Sequence, residues 1–446
     1  MNTTLKKKPS FYTSLLLLAL PIIAQEFINA GVNLADFMMI GSLGLDPMNG
    51  VGLAGQLTMI FTLVLFGVNS GSSIFMGQFW GKGDKASIHK VMGIAFVTNL
   101  SAAFLFALAA IFLPETILRV YSNEPEVIRL GALYLRIIGV SYLFSGISTT
   151  INASLRSIGQ TKIPMFTTLV ALCSNVILNY LSIFIFHWGV VGVGISTVTA
   201  RVLEIAAQLI IVRRLHLPIA TRFKRYFTAD AAFIKNFFAL AIPVILNESM
   251  WGLGTSLYNI AYKACGNEAQ GAIQIGGNLQ SVFNVLGFGV GSACGILLAN
   301  LLGAGERDKA IKGGWRGLIL SCGISAVMAC ILLAVSPLLI GFYDVPQAVK
   351  DSARLTVFVV AGGLIFKTYN FTAIVGVLRS GGDTRFCLFA DVFGVWAFGV
   401  PAAFLGAMVF KLPIHIVLLL VYSEELFKCV AVTWRIRKGK WAATLV

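Results

Sequence analysis

The sequence predicts an all-α polytopic membrane protein with twelve transmembrane helices, arranged as two parallel six-helix repeats (an N-lobe and a C-lobe) flanking a central cavity. Three observations lead there. The chain is 57% hydrophobic and only 12% charged over 446 residues, about half the charge of an ordinary soluble domain. Its apolar residues fall into helix-length runs without the ~10-residue alternation of a membrane barrel. Its second half repeats its first.

Twelve runs are long enough to cross a bilayer: about 11–40, 51–79, 91–113, 127–153, 163–186, 190–213, 233–262, 270–302, 316–340, 353–377, 385–410 and 413–434. A cationic start at Lys6, Lys7 and Lys8 ahead of the first run imitates a secretory signal. The run is too long for one and lacks a small-residue cleavage site, so it is expected to stay as the first helix. The gaps between runs set the orientation. Alternate gaps and the termini hold 24 Lys and Arg residues, among them Lys82, Lys85, Arg156, Arg213, Arg307 and Arg435; the opposite gaps hold six, Arg119, Arg129, Lys263, Lys350, Arg354 and Lys411. Cations concentrate on the cytoplasmic side, which places both termini there and requires an even number of spans. The formal charge of +15 therefore belongs to loops facing a membrane surface and does not indicate a nucleic-acid partner. Six of the seven Cys lie in or beside apolar runs without CxxC spacing, which suits packing residues better than disulfides or metal ligands.

The repeat is visible in three ordered blocks. Leu18–Glu26 (LALPIIAQE) matches Leu240–Glu248 (LAIPVILNE) at an offset of 222 residues. Leu57, Phe61, Gly67, Gly81 and Gly83 match Leu279, Phe283, Gly289, Gly303 and Gly305 at the same offset. Leu155–Lys162 (LRSIGQTK) matches Leu378–Arg385 (LRSGGDTR) at 223. Six spans per repeat is an even number, so both halves insert the same way up, about an axis along the membrane normal. The expected divisions are 1–214 for the N-lobe, 215–235 for a cytoplasmic linker and 236–446 for the C-lobe. The linker carries Arg222, Lys224 and Arg225 among Phe223, Tyr226 and Phe227, a pattern open to an interfacial segment that turns cations toward anionic lipid or to a solvated connection.

Candidate functional residues follow from polar groups in apolar spans. On the first span Gln25, Asn29, Asn33 and Asp36 fall on one narrow face at about 100° per residue. A polar stripe ending in a carboxylate faces a bundle interior or a wet cavity, and an intramembrane acid marks a functional site. Glu26 and its repeat partner Glu248 each follow a proline by five residues, Pro21 and Pro243. They are open to two roles, bonding backbone groups freed by the proline or ion coupling. Asp36 has no acidic partner, since Tyr258 stands at its repeat position, which singles it out for function. On span five Asn175 and Asn179 share a face; span six supplies Thr197. Glu424 and Lys428 are spaced to pair on span twelve, as are Arg201 and Glu204 on span six. Lys367 and Asp391 lack sequence-local partners, and an ion pair between them is one reading, a cavity-facing role the other. Arg136 is expected to snorkel or to pair with a carboxylate. No nucleophile motif, HExxH or P-loop is present, so no enzyme is expected, and any pumping must draw on an ion gradient.

The first span ending LADFMMIGSLG, the second-span end GQFWGKGD and the loops LRSIGQTKIP and LRSGGDTRF together resemble the multidrug and toxic compound extrusion (MATE) family, bacterial type, across essentially the whole chain. The resemblance implies a polyspecific exporter in the cell membrane. Two six-helix lobes would alternate access, and inward H⁺ or Na⁺ would drive efflux of bulky, often cationic aromatic drugs, with no cofactor beyond the coupling ion and with the monomer as working unit. It also implies an N-lobe cation site at Asp36, Asn175, Asn179 and Thr197. Asn179 stands where some members have Asp, which leaves Na⁺ and proton coupling both open. The C-lobe site of other members would use Glu248 with a span-ten acid; the matching place falls near Thr368, beside Lys367. A lipid-linked oligosaccharide flippase of the same superfamily is the alternative. Protonation of Asp36 would remove its charge, let neighbouring helices repack, bend the first span at Pro21 and lower affinity for bound drug.

Overall fold

The computed structural model describes residues 10–343 and 345–446; the loop cations Lys6, Lys7 and Lys8 lie outside them, as does the side chain of Asn33. Among the described residues every regular element is helical: α1 (Phe11–Gly41), α2 (Leu45–Lys82), α3 (Lys85–Phe112), α4 (Pro114–Arg119), α5 (Pro125–Ser157), α6 (Lys162–Tyr180), α7 (Gly189–Arg214), α8 (Ala231–Lys263), α9 (Asn267–Gly303), α10 (Arg307–Gly341), α11 (Gln347–Phe371), α12 (Thr384–Phe393), α13 (Val400–Phe404), α14 (Ile414–Val421) and α15 (Ser423–Arg437). Among the described residues eleven stretches are long and apolar enough to cross a membrane. The chain is thus a multi-pass membrane protein.

The expected twelfth span, 413–434, is the exception. It is divided at Tyr422 into α14 and α15. The physical reason is compositional: α14 is wholly apolar apart from His415, whereas α15 opens on Ser423, Glu424 and Glu425, so no uninterrupted apolar window survives. The eleventh span is irregular in another way. Between α12 and α13 the backbone widens into a π-helical turn at Gly394–Gly399, and beyond α13 into a second at Leu405–Val409. Pro401 sits in the first turn of α13, where its missing N–H removes a bond that would otherwise tighten the helix.

Helix ends obey local chemistry. The Asp84 carboxylate caps α3 by accepting from the Ser87 backbone N–H at 3.0 Å and from Ser87 Oγ at 2.7 Å. Gly83, at φ 83°, closes α2 in the left-handed region and sends its N–H back to the carbonyls of Phe79 and Trp80. The prolines Pro21, Pro243 and Pro337 lie inside α1, α8 and α10 without ending them.

The chain packs as two compact units. One holds the chain up to Ile23 with Gly254–Val446; the other holds Ala24–Leu253. These units cut across the expected division at 215–235. The boundary falls inside α1 just after Pro21 and inside α8 past Pro243, so each proline helix is shared. In the first unit Leu15, Ala19 and Ile22 of α1 pack with Val290, Leu298 and Leu318. In the second, Ala54, Phe61 and Leu65 of α2 pack with Ala103, Leu135 and Tyr142. The linker belongs to this second unit and docks on α3. His89 Nε2 donates to the Pro218 carbonyl at 2.8 Å, Tyr226 Oη donates to the Ile219 carbonyl at 2.8 Å, and the Tyr226 ring meets His89 and Phe96 edge-on at 6.0 and 5.9 Å. The segment is thus anchored on α3 by a tyrosine while Arg222, Lys224 and Arg225 stay exposed, which fits either reading of 215–235.

Candidate functional site

The four residues matched to an N-lobe cation site come together in the second unit. Asn179 Nδ2 donates to Asp36 Oδ1 at 2.9 Å. The Asn175 amide, one helical turn earlier, sits against the same carboxylate; turned so that donors meet acceptors, its nitrogen donates to Asp36 Oδ2 and Oδ1 at 2.9 and 3.0 Å. The other terminal atom of that amide lies 3.5 Å from Thr197 Oγ1. The Thr197 hydroxyl itself donates to the Val193 carbonyl at 3.0 Å, which leaves its oxygen as an acceptor. Asn175 and Asn179 are buried, 6% and 0% exposed. The site draws on three helices, with one residue from α1, two from α6 and one from α7, and the reason is periodicity. Residues four apart on α6 stack on one face, and that face meets the end of α1 and the first turns of α7.

Tyr134 of α5 completes the group and was missed in the sequence reading. Its hydroxyl lies close to Thr197 and within electrostatic reach of Asp36. A lone tyrosine in an apolar span carries no periodic signal, so only its contact with Thr197 reveals it.

Hard oxygen is at hand in the Asp36 carboxylate and the Thr197 hydroxyl, while the two asparagine amides present nitrogen to the carboxylate and would present oxygen only if turned. Asn179 Oδ1, on the same amide whose nitrogen meets the carboxylate, is buried with no hydrogen-bond partner. Among the described residues no group of three or more His, Cys, Asp or Glu gathers as a metal site.

The rest of the first-span stripe does not join this group. Gln25 Nε2 donates to Thr168 Oγ1 at 2.8 Å, and Arg156 donates to Gln25 Oε1 at 2.6 Å. Glu26 pairs with Arg156 at 3.6 Å and accepts from Asn29 Nδ2 at 3.4 Å. Glu26 therefore spends its carboxylate on the arginine of LRSIGQTK. Neither of its two expected roles, bonding backbone groups freed by Pro21 or ion coupling, included this arginine. Glu248 sits partly buried on α8. Of its two expected fates, snorkelling or a carboxylate partner, Arg136 takes the second, pairing with Glu115 at 2.7 Å, and Arg201 pairs with Glu204 at 2.8 Å as their spacing suggested.

In the first unit the proposed pair of Lys367 with Asp391 is not formed. Asp391 takes Lys428 at 2.9 Å, and Lys428 reaches Glu424 at 3.9 Å. Lys367 instead approaches Gln280 Oε1 at 3.5 Å and the Tyr422 ring at 5.6 Å. Lys428 is the nearer cation for Asp391 because its helix, α15, packs against α12. Tyr258, at the Asp36 position of the repeat, donates to Glu424 Oε2 at 2.5 Å.

Comparisons with known proteins agree with the duplicated plan. The MatE family profile matches residues 21–181 and again 243–405, two segments that start 222 residues apart, at Pro21 and Pro243. The chain is 22% identical over 408 residues to an uncharacterized transporter YisQ of Bacillus subtilis, covering 91% of this chain and 89% of that one. It is 23% identical to a probable multidrug resistance protein NorM of Thermotoga maritima, covering 97% and 94%. Among solved structures, a MATE protein in a straight conformation superposes with a TM-score of 0.89 at 15% identity, over 97% of this chain and 98% of that one; the bent conformation gives the same score over 97% of each. At that identity the structures speak to the fold, a two-lobe arrangement of twelve transmembrane helices. The profile covers well over half of the chain in both repeats, and the chain accordingly belongs to the MatE family, whose members are transporters and not enzymes.

Proposed function

We propose that this chain exports small, often cationic and aromatic molecules by alternating access, driven by inward movement of H⁺ or Na⁺ that binds at Asp36. The observation that supports it is one carboxylate met by neutral polar groups from α6 and α7. An anion in the apolar region of a bilayer is costly, and two amide donors offset part of that cost. A bound proton or sodium ion removes the rest. The Asn175 amide then has two useful orientations. With its nitrogen toward Asp36 it serves the bare carboxylate. With its oxygen there, at the same 2.9 and 3.0 Å, two acceptors face each other, and only a proton on the carboxyl or a cation between them makes that contact favourable. Turning this amide exchanges donors for acceptors toward Thr197 and Asn179, which is how the ion at Asp36 reaches the packing of α6 on α7. The relatives named for multidrug resistance support drug-like substrates; a lipid-linked oligosaccharide flippase is not favoured. The excess of cations in alternate loops supports a plasma-membrane orientation with both termini cytoplasmic.

The test is efflux of a fluorescent cation from proteoliposomes under separately imposed sodium and proton gradients, with wild type beside Asp36→Asn and Glu248→Gln. Hydrogen bonds to a charged group are worth about 1.5–3 kcal/mol, so Asp36→Asn is expected to lose about tenfold or more of gradient-driven efflux. Full gradient-driven efflux by that variant, or wild-type transport that answers to neither gradient, would end the proposal.

A further inference from the structure

The first unit contains a buried charged cluster that coupling at Asp36 does not use. Its centre is α15, where Glu424, Glu425 and Lys428 are 4%, 5% and 2% exposed. Lys428 bridges Asp391 of α12 and Glu424. Glu425 Oε2 accepts from Asn370 Nδ2 of α11 at 2.7 Å. From α8, Tyr258 donates to Glu424, and Tyr262 lies within electrostatic reach of it. From α11, Lys367 lies within electrostatic reach of both glutamates and of Tyr422, whose hydroxyl accepts from Gln280 of α9 at 3.0 Å.

The backbone makes room for these side chains. The π-helical turn at Gly394–Gly399 begins and ends on glycine. A Cβ at Gly394 would lie 2.7 Å from Lys428 Cε, and one at Gly399 would lie 2.6 Å from Glu424 Oε2 and 2.9 Å from Tyr258 Cζ. Single π-turns inside helices recur at functional sites, and here the widened backbone and both glycines serve the same three polar groups.

Three carboxyls face two ammoniums in this cluster, an excess of one negative charge in an apolar setting. A second observation concerns the acceptors. Asn370 is 3% exposed and gives its Nδ2 to the Glu425 side chain and main-chain carbonyl, yet its Oδ1 is buried with no hydrogen-bond partner. That acceptor sits on the residue that holds Glu425, a buried polar demand the cluster leaves unmet at its edge.

We propose that the Glu424–Glu425 pair of α15 holds one exchangeable proton, forming a second titrating centre separate from Asp36. With the proton bound the cluster is neutral; on release the proton passes to water and one negative charge returns, held by Tyr258, Lys428 and Asn370. The two repeats would then titrate through different helices. The first uses an acid on α1, and the second keeps a phenol at that position, Tyr258, and takes its acid from α15. The proposal rests on the reading of the chain as ion-coupled, but its test does not depend on transport.

The experiment uses full-length protein in lipid vesicles with Asp36→Asn as background, so that the first site is silent. Proton uptake on a pH step and the infrared band of protonated carboxylic acid are recorded for Glu424→Gln and Glu425→Gln. Each is expected to take up about one proton fewer than the background and to lose the pH-dependent carboxylic band. An unchanged proton count and band in both variants overturns the proposal and makes the cluster a set of fixed ion pairs. If neither glutamine variant folds, Tyr258→Phe, which removes one hydroxyl, is expected to move the pH midpoint of the band; an unmoved midpoint overturns the proposal equally. A titration that follows sodium and not pH overturns the assignment to a proton. Wild-type protein that exchanges this proton but transports without response to either gradient would sink coupled export and leave this site standing.

Discussion

Placing a methyl group at position 93 tests whether the linker is held by α3. A Cβ on Gly93 would come 2.6 Å from Tyr226 C and 3.1 Å from Tyr226 Cα, and closer still to the Tyr226 carbonyl oxygen. These are backbone atoms, which cannot swing aside as a side-chain tip can. Relief requires the segment around Tyr226 to move outward by about 1 Å or more, since non-bonded carbon atoms rest at about 3.5–4.0 Å. At that displacement the His89 bond to the Pro218 carbonyl and both edge-on aromatic contacts are lost. One hydrogen bond contributes about 0.5–1.5 kcal/mol and each aromatic contact about 0.5–1.5 kcal/mol, so Gly93→Ala should weaken docking by about 1.5–4.5 kcal/mol, or roughly ten- to a thousandfold in the undocked population. The helix itself gains up to about 1 kcal/mol from alanine, so global stability should change little. The assay is limited trypsin digestion of the intact protein. Arg222, Lys224 and Arg225 are exposed cleavage points within a segment that must open to enter the protease, and cleavage follows the open population when reclosing is fast. Gly323→Ala is the control, because a Cβ there meets nothing within 4 Å. Linker cleavage in Gly93→Ala as slow as in wild type and the control would refute docking as the reason for glycine at 93.

Two further outcomes concern stability. Gly67 and Gly71 of α2 form a one-turn pair of small residues against α8; a Cβ at Gly67 would lie 2.8 Å from Ile245 Cα and one at Gly71 2.9 Å from Ala241 Cα. Gly71→Val should cost about 1–3 kcal/mol, read as a lower thermal midpoint in detergent; a midpoint at the wild-type value would mean that the two helices part without penalty. For Asp84, burial works to raise the carboxyl, but hydrogen bonds from Ser87 and the charge of Lys82 outweigh it and hold the carboxyl below its ordinary value. A depressed folded value stabilises above the unfolded value of about 3.9 and loses that effect as pH falls through the folded one. Asp84→Ala should therefore cost about 1 kcal/mol at neutral pH, and the gap to wild type should close in acid. A gap independent of pH would assign the loss to something other than the ionised cap.

What the sequence made legible were features set by period and composition. Apolar run length marked the helices, a constant offset marked the duplication, and three- or four-residue spacing found Arg201 with Glu204 and Glu424 with Lys428, because both partners ride on one helix. Partners on different helices were beyond it. Asp391 had two cations within conceivable reach, and the choice of Lys428 over Lys367 depends on how α12 and α15 face each other. The first-span stripe shows the same limit. Gln25, Asn29 and Asp36 were correctly placed on one face, but the face runs past two sets of partners: Arg156 and Thr168 at one level, Asn175, Asn179 and Thr197 at the next. The break at Tyr422 was not anticipated because run length alone joins the apolar α14 to the later apolar residues of α15 across its charged opening.

Duplication sharpens what these differences mean. Two copies of one six-helix plan begin with the same residues at equivalent places, so each present difference is a substitution that the shared architecture tolerates. Prolines at 21 and 243 have stayed, and so has an arginine in each LRS loop, although Arg156 now meets Gln25 and Glu26 while Arg379 is almost wholly buried. Position 36 differs between the copies: its counterpart is Tyr258, and the carboxyl in that neighbourhood comes from α15. If membrane packing alone had set these positions, exchanging an acid for a phenol would have required no new carboxylate nearby. A tyrosine donating to a glutamate, with glycines on a π-turn cleared for both, is a replacement of one titratable arrangement by another. That favours a chemical requirement in each half of the molecule over a merely structural one.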